Sequence, residues 1–209
     1  MKKIVFDLDN VLLFSSSDWD SFYQEFIDKY NIQVNPKELY NLIDDFGKNN
    51  KEIVVTDEFF CKWMSEKLSF NFTEKILSDY LNYYASIPLL NIDKVYEVLK
   101  ELSNNYELIA YSDWWTLNQI KRLKKYNLDQ FFKKIYGFDI LPKKTSYTAI
   151  KTIIKNEKIE DFIFIGDNIE LDLSIPKSMG INTIFFNYKK IEQTEYEEIS
   201  DIQELLKIL

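Results

Sequence analysis

Short apolar runs alternate with amphipathic segments over most of the chain, and each kind predicts a different element. Apolar runs of strand length occur at 4–6, 107–111, 135–137, 162–165 and 184–186. Continuous runs this short are typical of strands that are buried on both faces of a sheet. The segments between them carry apolar residues three and four positions apart, which predicts helices. This alternation predicts an α/β fold with a parallel sheet and helices on both of its faces.

One long stretch interrupts the alternation. Residues 15–86 contain four successive helical patterns and no strand pattern. We predict that these helices begin at Ser16 or Ser17, at Asn35 with Pro36, at Thr56 or Asp57, and at Thr73. We therefore expect 15–86 to form a small all-helical unit, inserted into a sheet domain made of residues 1–14 and 87–209. Its aromatic positions are expected to form the core of that unit and not a cofactor site.

Length and charge narrow the classes of partner. The chain has 209 residues and a formal net charge of -8, and this length suits one core with a small accessory unit. No basic tract is long enough to indicate nucleic-acid binding, and we expect the lysine-rich runs 121–125 and 133–134 to be solvated helix faces. No apolar stretch is long enough to span a membrane, so we expect a cytoplasmic protein. Oligomeric state is left open by the sequence.

The residue types that are missing limit the chemistry further. The chain contains no histidine and one cysteine, Cys61. Catalytic triads and dyads that use histidine are therefore excluded, as are metal sites with histidine ligands. Any metal would be bound by oxygen atoms, which favours Mg²⁺ or a similar hard ion. Cys61 lies among aromatic residues, so we expect a buried structural thiol.

Polar side chains follow the predicted strands at the points where the strands end. Asp7 and Asp9 follow the first run two residues apart, and we expect them to share one side of the chain. The corresponding residues after the later runs are Ser112, Asp113, Lys143, Lys144, Asp167, Asn168 and Asp172. Because the carboxyl ends of parallel strands meet at one edge of a sheet, these side chains should lie on one rim. Carboxylates placed so closely need a compensating cation, so the rim suits a Mg²⁺ site beside an anion site.

These segments resemble, in order and spacing, the motifs of the haloacid dehalogenase superfamily. The matching segments are residues 7–12, 111–113, 141–145 and 166–172. The resemblance covers the sheet domain. It implies a Rossmann-like core of three layers, with a parallel sheet in the middle. It also implies that residues 15–86 form the helical cap that is the first cap type of the family.

The resemblance implies roles for the acidic residues. Asp7 would be the nucleophile that takes up a phosphoryl group as an aspartyl-phosphate. Asp9 would protonate the leaving oxygen and then deprotonate the attacking water. Mg²⁺ would be held by Asp7, by the backbone carbonyl of Asp9 and by Asp167. Residues that would support this metal site are Asn168 and Asp172.

The phosphate-binding residues implied by the resemblance are Ser112, Asp113 and a lysine, either Lys143 or Lys144. Both lysines fit the spacing to the following helix, and the position of Lys143 four residues before Tyr147 favours Lys143. Two tryptophans directly follow the Ser112–Asp113 pair. Either they pack beneath the cap, or one of them projects towards the leaving group of the substrate. Candidate residues for the mouth of the cleft are Ser15, Ser16, Trp19 and Trp114.

Asp9 also indicates the branch of the superfamily. A dehalogenase attacks carbon and does not need this second acid, so its presence resembles the phosphatases. We therefore predict a Mg²⁺-dependent phosphohydrolase that acts on a small phosphorylated metabolite. Two alternatives remain: a phosphomutase of the same architecture, and a non-catalytic binding or regulatory protein with this fold. Against the second alternative, the acidic residues of the motifs are all present.

Overall fold

The computed structural model describes residues 1–16, 18–190 and 195–209. The strands are β1 (Lys3–Phe6), β2 (Phe14–Ser15), β3 (Leu89–Leu90), β4 (Glu107–Tyr111), β5 (Phe132–Tyr136), β6 (Phe162–Gly166), β7 (Asn182–Phe186) and β8 (Glu197–Ile199). The helices are α1 (Trp19–Tyr30), α2 (Pro36–Asn49), α3 (Asp57–Leu68), α4 (Glu74–Ser86), α5 (Ile92–Leu102), α6 (Thr116–Lys124), α7 (Tyr147–Ile154), α8 (Ser174–Ser178) and α9 (Leu205–Ile208). A π-helical turn at Ile169–Leu173 precedes α8.

Six of these strands form one parallel sheet in the order β5-β4-β1-β6-β7-β8. Following the chain, β4 and then β5 lie on one side of the central β1, and β6, β7 and β8 lie on its other side. The order in which strands are added to the sheet therefore reverses between β1 and β6. In open parallel sheets the crevice at such a reversal, beyond the carboxyl ends of the strands, is where ligands bind.

The sheet is buried on both faces, as the alternation along β1 shows. Ile4 and Phe6 point into a cluster that includes residues of α5, α6 and α9. Val5 points to the other face and joins residues of α7. Side chains of consecutive strand residues point to opposite faces. One short apolar run therefore contributes to the cores on both faces of the sheet. The predicted α/β fold, a parallel sheet between two helical layers, is confirmed.

Helices α1 to α4 pack together around an aromatic cluster that includes Phe22, Phe60 and Tyr80, and that also takes in Trp115 and Phe138 from outside these helices. The caps of α2, α3 and α4 lie at the predicted Asn35, Thr56 and Thr73. For α1 the prediction was wrong at Ser16, and Ser17 lies outside the described residues. Asp18 caps α1, because its carboxylate accepts from the backbone N–H of Asp20, whereas the Ser16 hydroxyl donates to Pro88 O. The division into 1–14 with 87–209 and 15–86 stays a prediction.

Two features had no counterpart in the sequence patterns. The segments that lead into α1 and out of α4 pair as an antiparallel ribbon, with Phe14 opposite Leu90 and Ser15 opposite Leu89. The sixth sheet strand, β8, has one buried residue, Ile199, and forms by pairing with β7. Elements this short carry no readable periodicity. Within the described residues, none of the helices combines the length and the apolar character needed to cross a membrane.

Candidate active site

Asp7 lies directly beyond β1, at the reversal point of the sheet. Its backbone N–H donates to Ile165 O at 2.8 Å, which continues the pairing of β1 with β6. Its Oδ1 accepts from the backbone N–H of Leu8 at 2.7 Å and from Lys144 Nζ. Within the described residues its Oδ2 has no hydrogen-bond donor. Burial raises the pKa of Asp7 well above the ordinary carboxyl value, and the nearby Lys144 opposes this shift.

Lys144 is a buried cation that pairs with two carboxylates of the site. Its ammonium pairs with Asp7 and lies 2.8 Å from Asp172 Oδ1, and the residue is 7% exposed. Burial alone would lower the pKa of Lys144, but the carboxylates of Asp172 and Asp7 raise it well above its usual value. The Asp113 carboxylate accepts from the backbone N–H of Lys144 at 3.0 Å, so Asp113 fixes the loop that carries this lysine.

The spacing argument that favoured Lys143 does not match this geometry. Lys143 donates its backbone N–H to Lys51 O in the segment between α2 and α3. Its side chain extends towards Gly47 of α2 and lies over the ring of Phe138 at 5.8 Å. Spacing to a helix start cannot distinguish neighbouring lysines, because the turn between them decides which amine faces the sheet.

Three carboxylates converge beside Lys144. One oxygen from each of Asp7, Asp167 and Asp172 lies within 4.8 Å of the others. Burial and the Asp172 carboxylate raise the pKa of Asp167 to about 6. A Cβ built on Gly166 would overlap the Asp172 side chain, so the glycine allows this close approach. Three acids with one lysine leave an excess of negative charge, and the donor set of oxygens alone fits a hard divalent cation such as Mg²⁺.

Asn168 positions the Asp172 carboxylate. Its backbone N–H donates to Asp172 Oδ2 at 2.9 Å, while its side-chain oxygen accepts from the backbone N–H groups of Glu170 and Leu171 at the start of the π-helical turn. Both oxygens of Asp172 are therefore engaged, one by this N–H and the other by Lys144. Asn168 therefore contacts the site through Asp172, and the supporting role that the motif implied stays a prediction.

Asp9 lies just past Asp7 and has an environment of its own. Its Oδ1 accepts from Arg122 Nη1 at 2.6 Å and its Oδ2 accepts from Gln119 Nε2 at 2.7 Å. Tyr84 OH, from α4, lies 3.4 Å from Oδ1. The Asp9 side chain is 33% exposed, whereas Arg122 is 1% exposed. The carboxylate is thus fixed through both oxygens and still reaches solvent.

Gln119 joins Asp9 to Ser112. Its Nε2 also lies 2.8 Å from Ser112 Oγ, and its Oε1 accepts from Arg122 Nη1 at 2.8 Å. The backbone N–H of Ser112 donates to Tyr136 O at 2.9 Å, which fixes the residue at the end of β4. Ser112, Asp9 and Arg122 therefore belong to one buried hydrogen-bond network.

The sequence argument missed Arg122 and Gln119. The prediction of a solvated face was wrong for Arg122, although Lys121, Lys124 and Lys125 of the same run are exposed. One signal was available: Gln119 and Arg122 are three residues apart and share a helix face with Leu123. Polar residues at positions of a buried stripe indicate a polar network.

A cavity of about 640 Å³ opens between the helices α1 to α4 and the sheet edge. It borders the site through Asp113 and Leu171, the neighbours in sequence of Ser112 and Asp172. Of the four predicted mouth residues, Trp19 and Trp114 line this cavity. Ser16 instead bonds to Pro88 O, and Ser15 Oγ accepts from Arg122 Nη2 at 3.4 Å.

The two tryptophans after Asp113 have different surroundings. Trp115 is buried against Phe60 of α3, with ring centroids 4.8 Å apart, and donates its indole N–H to Asp57 at 2.7 Å. It therefore packs beneath the helical unit, although its edge also borders the cavity. Trp114 is half-buried on the cavity wall and donates to Asn118 Oδ1 at 3.0 Å.

Comparison with known protein families identifies the chain as a member of a class of hydrolases. The sequence model of the family described as haloacid dehalogenase-like hydrolase matches residues 4–186. The chain belongs to this family, which confirms the resemblance seen in its motifs. Among curated proteins, the glyceraldehyde 3-phosphate phosphatase of Pyrococcus furiosus is 24% identical over 230 residues, covering 100% of this chain and 93% of that protein.

Solved structures of the same fold cover nearly the whole chain. The HAD-hydrolase YfnB from Bacillus subtilis, in a magnesium-bound form, has a TM-score of 0.73 at 20% identity and covers 99% of this chain and 97% of that chain. The 2-haloacid dehalogenase of Pseudomonas syringae pv. Tomato has a TM-score of 0.73 at 13% identity, covering 100% and 98%. At these identities the likeness establishes the fold alone, so the reaction must be argued from the residues of the site.

Proposed function

We propose that this protein is a Mg²⁺-dependent phosphatase that hydrolyses a phosphate monoester through an aspartyl-phosphate on Asp7. The observation that carries the proposal is the state of the two Asp7 oxygens. Oδ1 is held by Lys144 and by the backbone N–H of Leu8, while Oδ2 has no donor among the described residues. A carboxylate fixed through one oxygen presents the other as a nucleophile.

In the first step, Asp7 Oδ2 attacks phosphorus and the bond from phosphorus to the leaving oxygen breaks. Asp9, in its protonated form, gives its proton to that oxygen, so the product leaves as a neutral alcohol. Arg122 and Gln119 hold the Asp9 carboxyl through both of its oxygens. This fixed orientation is what a proton donor needs, because its reach is a hydrogen-bond distance.

In the second step, water attacks phosphorus and Asp9 accepts one of its protons. The bond between Asp7 and phosphorus breaks, the Asp7 carboxylate is restored and inorganic phosphate is released. The same Asp9 oxygen that gave a proton is now its acceptor. This reversal needs the partial exposure of the Asp9 side chain, at 33%, since water must reach it.

Charge neutralisation is the remaining requirement, because a phosphate dianion is repelled by carboxylates. Lys144, with its ammonium beside Asp7, and the hydroxyl of Ser112 would hold phosphate oxygens. The Asp113 carboxylate is occupied by the backbone N–H of Lys144, so we assign it to holding the lysine loop. Asp7, Asp167 and the backbone carbonyl of Asp9 would hold Mg²⁺, with Asp172 in support. When bound, the ion would neutralise charge on the phosphate oxygens.

Asp9 distinguishes this proposal from dehalogenation, which the shared fold leaves open. A dehalogenase has no leaving oxygen to protonate, whereas hydrolysis of a phosphate ester requires an acid near that oxygen. Two relatives support the phosphatase: the Pyrococcus furiosus protein is named as one, and the Bacillus subtilis hydrolase contains magnesium. No feature of the described residues favours a phosphomutase or a non-catalytic role.

The test measures phosphate release from 4-nitrophenyl phosphate, with Mg²⁺ and with a chelator. We expect release by the wild type with Mg²⁺, and no release by Asp7→Asn, which keeps the shape and removes the nucleophile. The matched control is Asp93→Asn, an exposed acid in α5. Release that continues in Asp7→Asn would refute Asp7 as the nucleophile, and conversion of a sugar phosphate to an isomer without free phosphate would indicate a phosphomutase.

A further inference from the structure

The ammonium of Lys143 lies over the Phe138 ring in the cavity wall. Among the described residues, this group makes no hydrogen bond and no ion pair within 4.0 Å. The residue is half-buried, and burial lowers the pKa of Lys143, while the carboxylates of Asp113 and Asp44 oppose the shift. A partly desolvated lysine without a counter-ion is costly, so its position calls for an anionic ligand.

Gly47 provides the space for this ammonium. Gly47 lies inside α2, which continues to Asn49. A Cβ built on Gly47 would overlap Lys143 Nζ, and no atom outside Lys143 is near enough to restrict that Cβ. Glycine is unfavourable within a helix. The tip of Lys143 occupies the space that a side chain at position 47 would otherwise fill.

The walls of the same cavity are mainly aromatic, and four of the rings form a row. Trp19 stacks on Tyr84 with centroids 5.5 Å apart and an angle of 28°. Tyr84 lies 5.1 Å from Trp114 at 36°, and Trp114 lies 6.4 Å from Phe138 at 24°. Phe138 is the ring beneath Lys143. Because these rings cover one another's faces, the row has its edges free, and the face of a flat ligand can pack against those edges.

We propose that the leaving group of the substrate is a flat aromatic ring that carries an anionic substituent. The ring would lie along the row from Trp19 to Phe138, and the anionic group would pair with Lys143. This inference rests on the proposed phosphatase function, because the phosphate must occupy the adjacent site at Asp7. A cavity of about 640 Å³ is in the range that encloses ligands of drug size, far larger than a three-carbon ester needs.

The charges along the cavity leave Lys143 as the group that would allow an anionic substituent to bind there. Three acids and two lysines line it: Asp20, Asp44, Asp113, Lys37 and Lys143. Lys37 is exposed at the mouth, so an anion deeper in the cavity has Lys143 as its counter-ion and acids on the other sides. Without Lys143, the same anion would meet repulsion.

The experiment compares two aryl phosphates of the same size. The first is 4-carboxyphenyl phosphate, and the second is 4-carbamoylphenyl phosphate, whose carboxamide substituent is uncharged. Glycerol 3-phosphate is the small aliphatic reference. We expect the wild type to have a higher kcat/KM for the carboxylate than for the carboxamide, and the lowest value for glycerol 3-phosphate. In Lys143→Met the ratio of carboxylate to carboxamide should fall by about tenfold or more. In Gly47→Ala the ratio should fall by less, because the added methyl group shifts only the end of the flexible Lys143 side chain. Gly47→Ala displaces the ammonium and keeps the lysine. Lys51→Met, an exposed lysine nearby, should keep the wild-type ratio.

A second readout does not depend on turnover. Three of the four tryptophans line the cavity, Trp19, Trp114 and Trp115, so a titration with 4-hydroxybenzoate should change the fluorescence of the wild type. The change should need higher concentrations in Lys143→Met. The proposal is overturned if the ratio of kcat/KM for the carboxylate to kcat/KM for the carboxamide is the same in the wild type and the variants. A higher kcat/KM for glycerol 3-phosphate than for the aryl esters would also overturn it. If no ester is hydrolysed, the phosphatase fails, and the titration decides alone: binding that ignores Lys143 overturns the cavity assignment as well.

Discussion

Arg122 gives the sharpest test of how Asp9 is positioned. Its guanidinium is buried, contacts Asp9 and Gln119, and lies over the ring of Tyr84 with its central carbon 4.8 Å from the centroid. Arg122→Met keeps much of the apolar stem and removes the charge and all donors. The change leaves two donors to the Asp9 carboxylate among the described residues: Gln119 at Oδ2 and, at the longer distance of 3.4 Å, Tyr84 OH at Oδ1.

The expected size of the effect follows from these contacts. A hydrogen bond to a charged group contributes about 1.5–3 kcal/mol. If loss of the Arg122 contact raises the barrier by this amount, kcat falls by about 10- to 160-fold. KM should change little, because Arg122 does not line the cavity. Breaking a buried ion pair costs about 3–5 kcal/mol. The Asp9 side chain is 33% exposed and can be rehydrated, so we expect a smaller loss of about 1–3 kcal/mol in the free energy of unfolding.

The assay is a cycle of kcat values for wild type, Arg122→Met, Asp9→Asn and the double variant. General acid and base catalysis contributes about 10²- to 10⁴-fold, so Asp9→Asn should lose that much. Because Arg122 acts through Asp9, the double variant should match Asp9→Asn within about threefold. Lys124→Met, an exposed position in the same helix, is the control. A folded Arg122→Met with wild-type kcat, or losses that multiply in the double variant, would refute the reasoning.

Three further outcomes are expected. Asp167→Asn should raise the Mg²⁺ concentration for half-maximal phosphate release by about tenfold or more, since a carboxylate ligand is lost; an unchanged Mg²⁺ titration would contradict the metal site. Gly166→Ala should displace the Asp172 carboxylate and lower both kcat and the melting temperature, so a fully active Gly166→Ala would be inconsistent with this packing. Burial raises the pKa of Cys61 to about 11, so at pH 8 about one thiol in a thousand is ionised. Alkylation of Cys61, followed by mass spectrometry, should therefore be fast only in denaturant.

Much of the sheet follows from the sequence because its strands are buried on both faces. The run at 107–111 coincides with β4, and the run 162–165 differs from β6 by one residue. Helix starts at Asn35, Thr56 and Thr73 were readable because each cap uses its own side chain within three residues. Local physics of this kind does not depend on the rest of the fold.

Contacts between distant segments were not readable in the same way. Arg122 is buried because it meets Asp9, which lies 113 positions away in the chain, and no local pattern reports such a partner. The run around it contains exposed lysines, so composition suggested a solvated face. The assignment to Lys144 likewise depends on the turn that Asp113 fixes, and the metal and phosphate roles of these residues stay predictions until the variants are assayed.

The ribbon of β2 and β3 determines what kind of segment can stand between these two strands. Phe14 faces Leu90 across the ribbon, so the chain leaves the sheet and returns to it at neighbouring points about 5 Å apart. A segment inserted at this point must have its two ends at this spacing. It adds no strand to the six-stranded sheet, so the pairing of the sheet strands does not depend on it. Helices α1 to α4 therefore leave and rejoin the rest of the chain at one place. A different module with adjacent termini would fit the same ends, but it would have to replace the contacts that Lys51 O and Tyr84 OH make to Lys143 and Asp9.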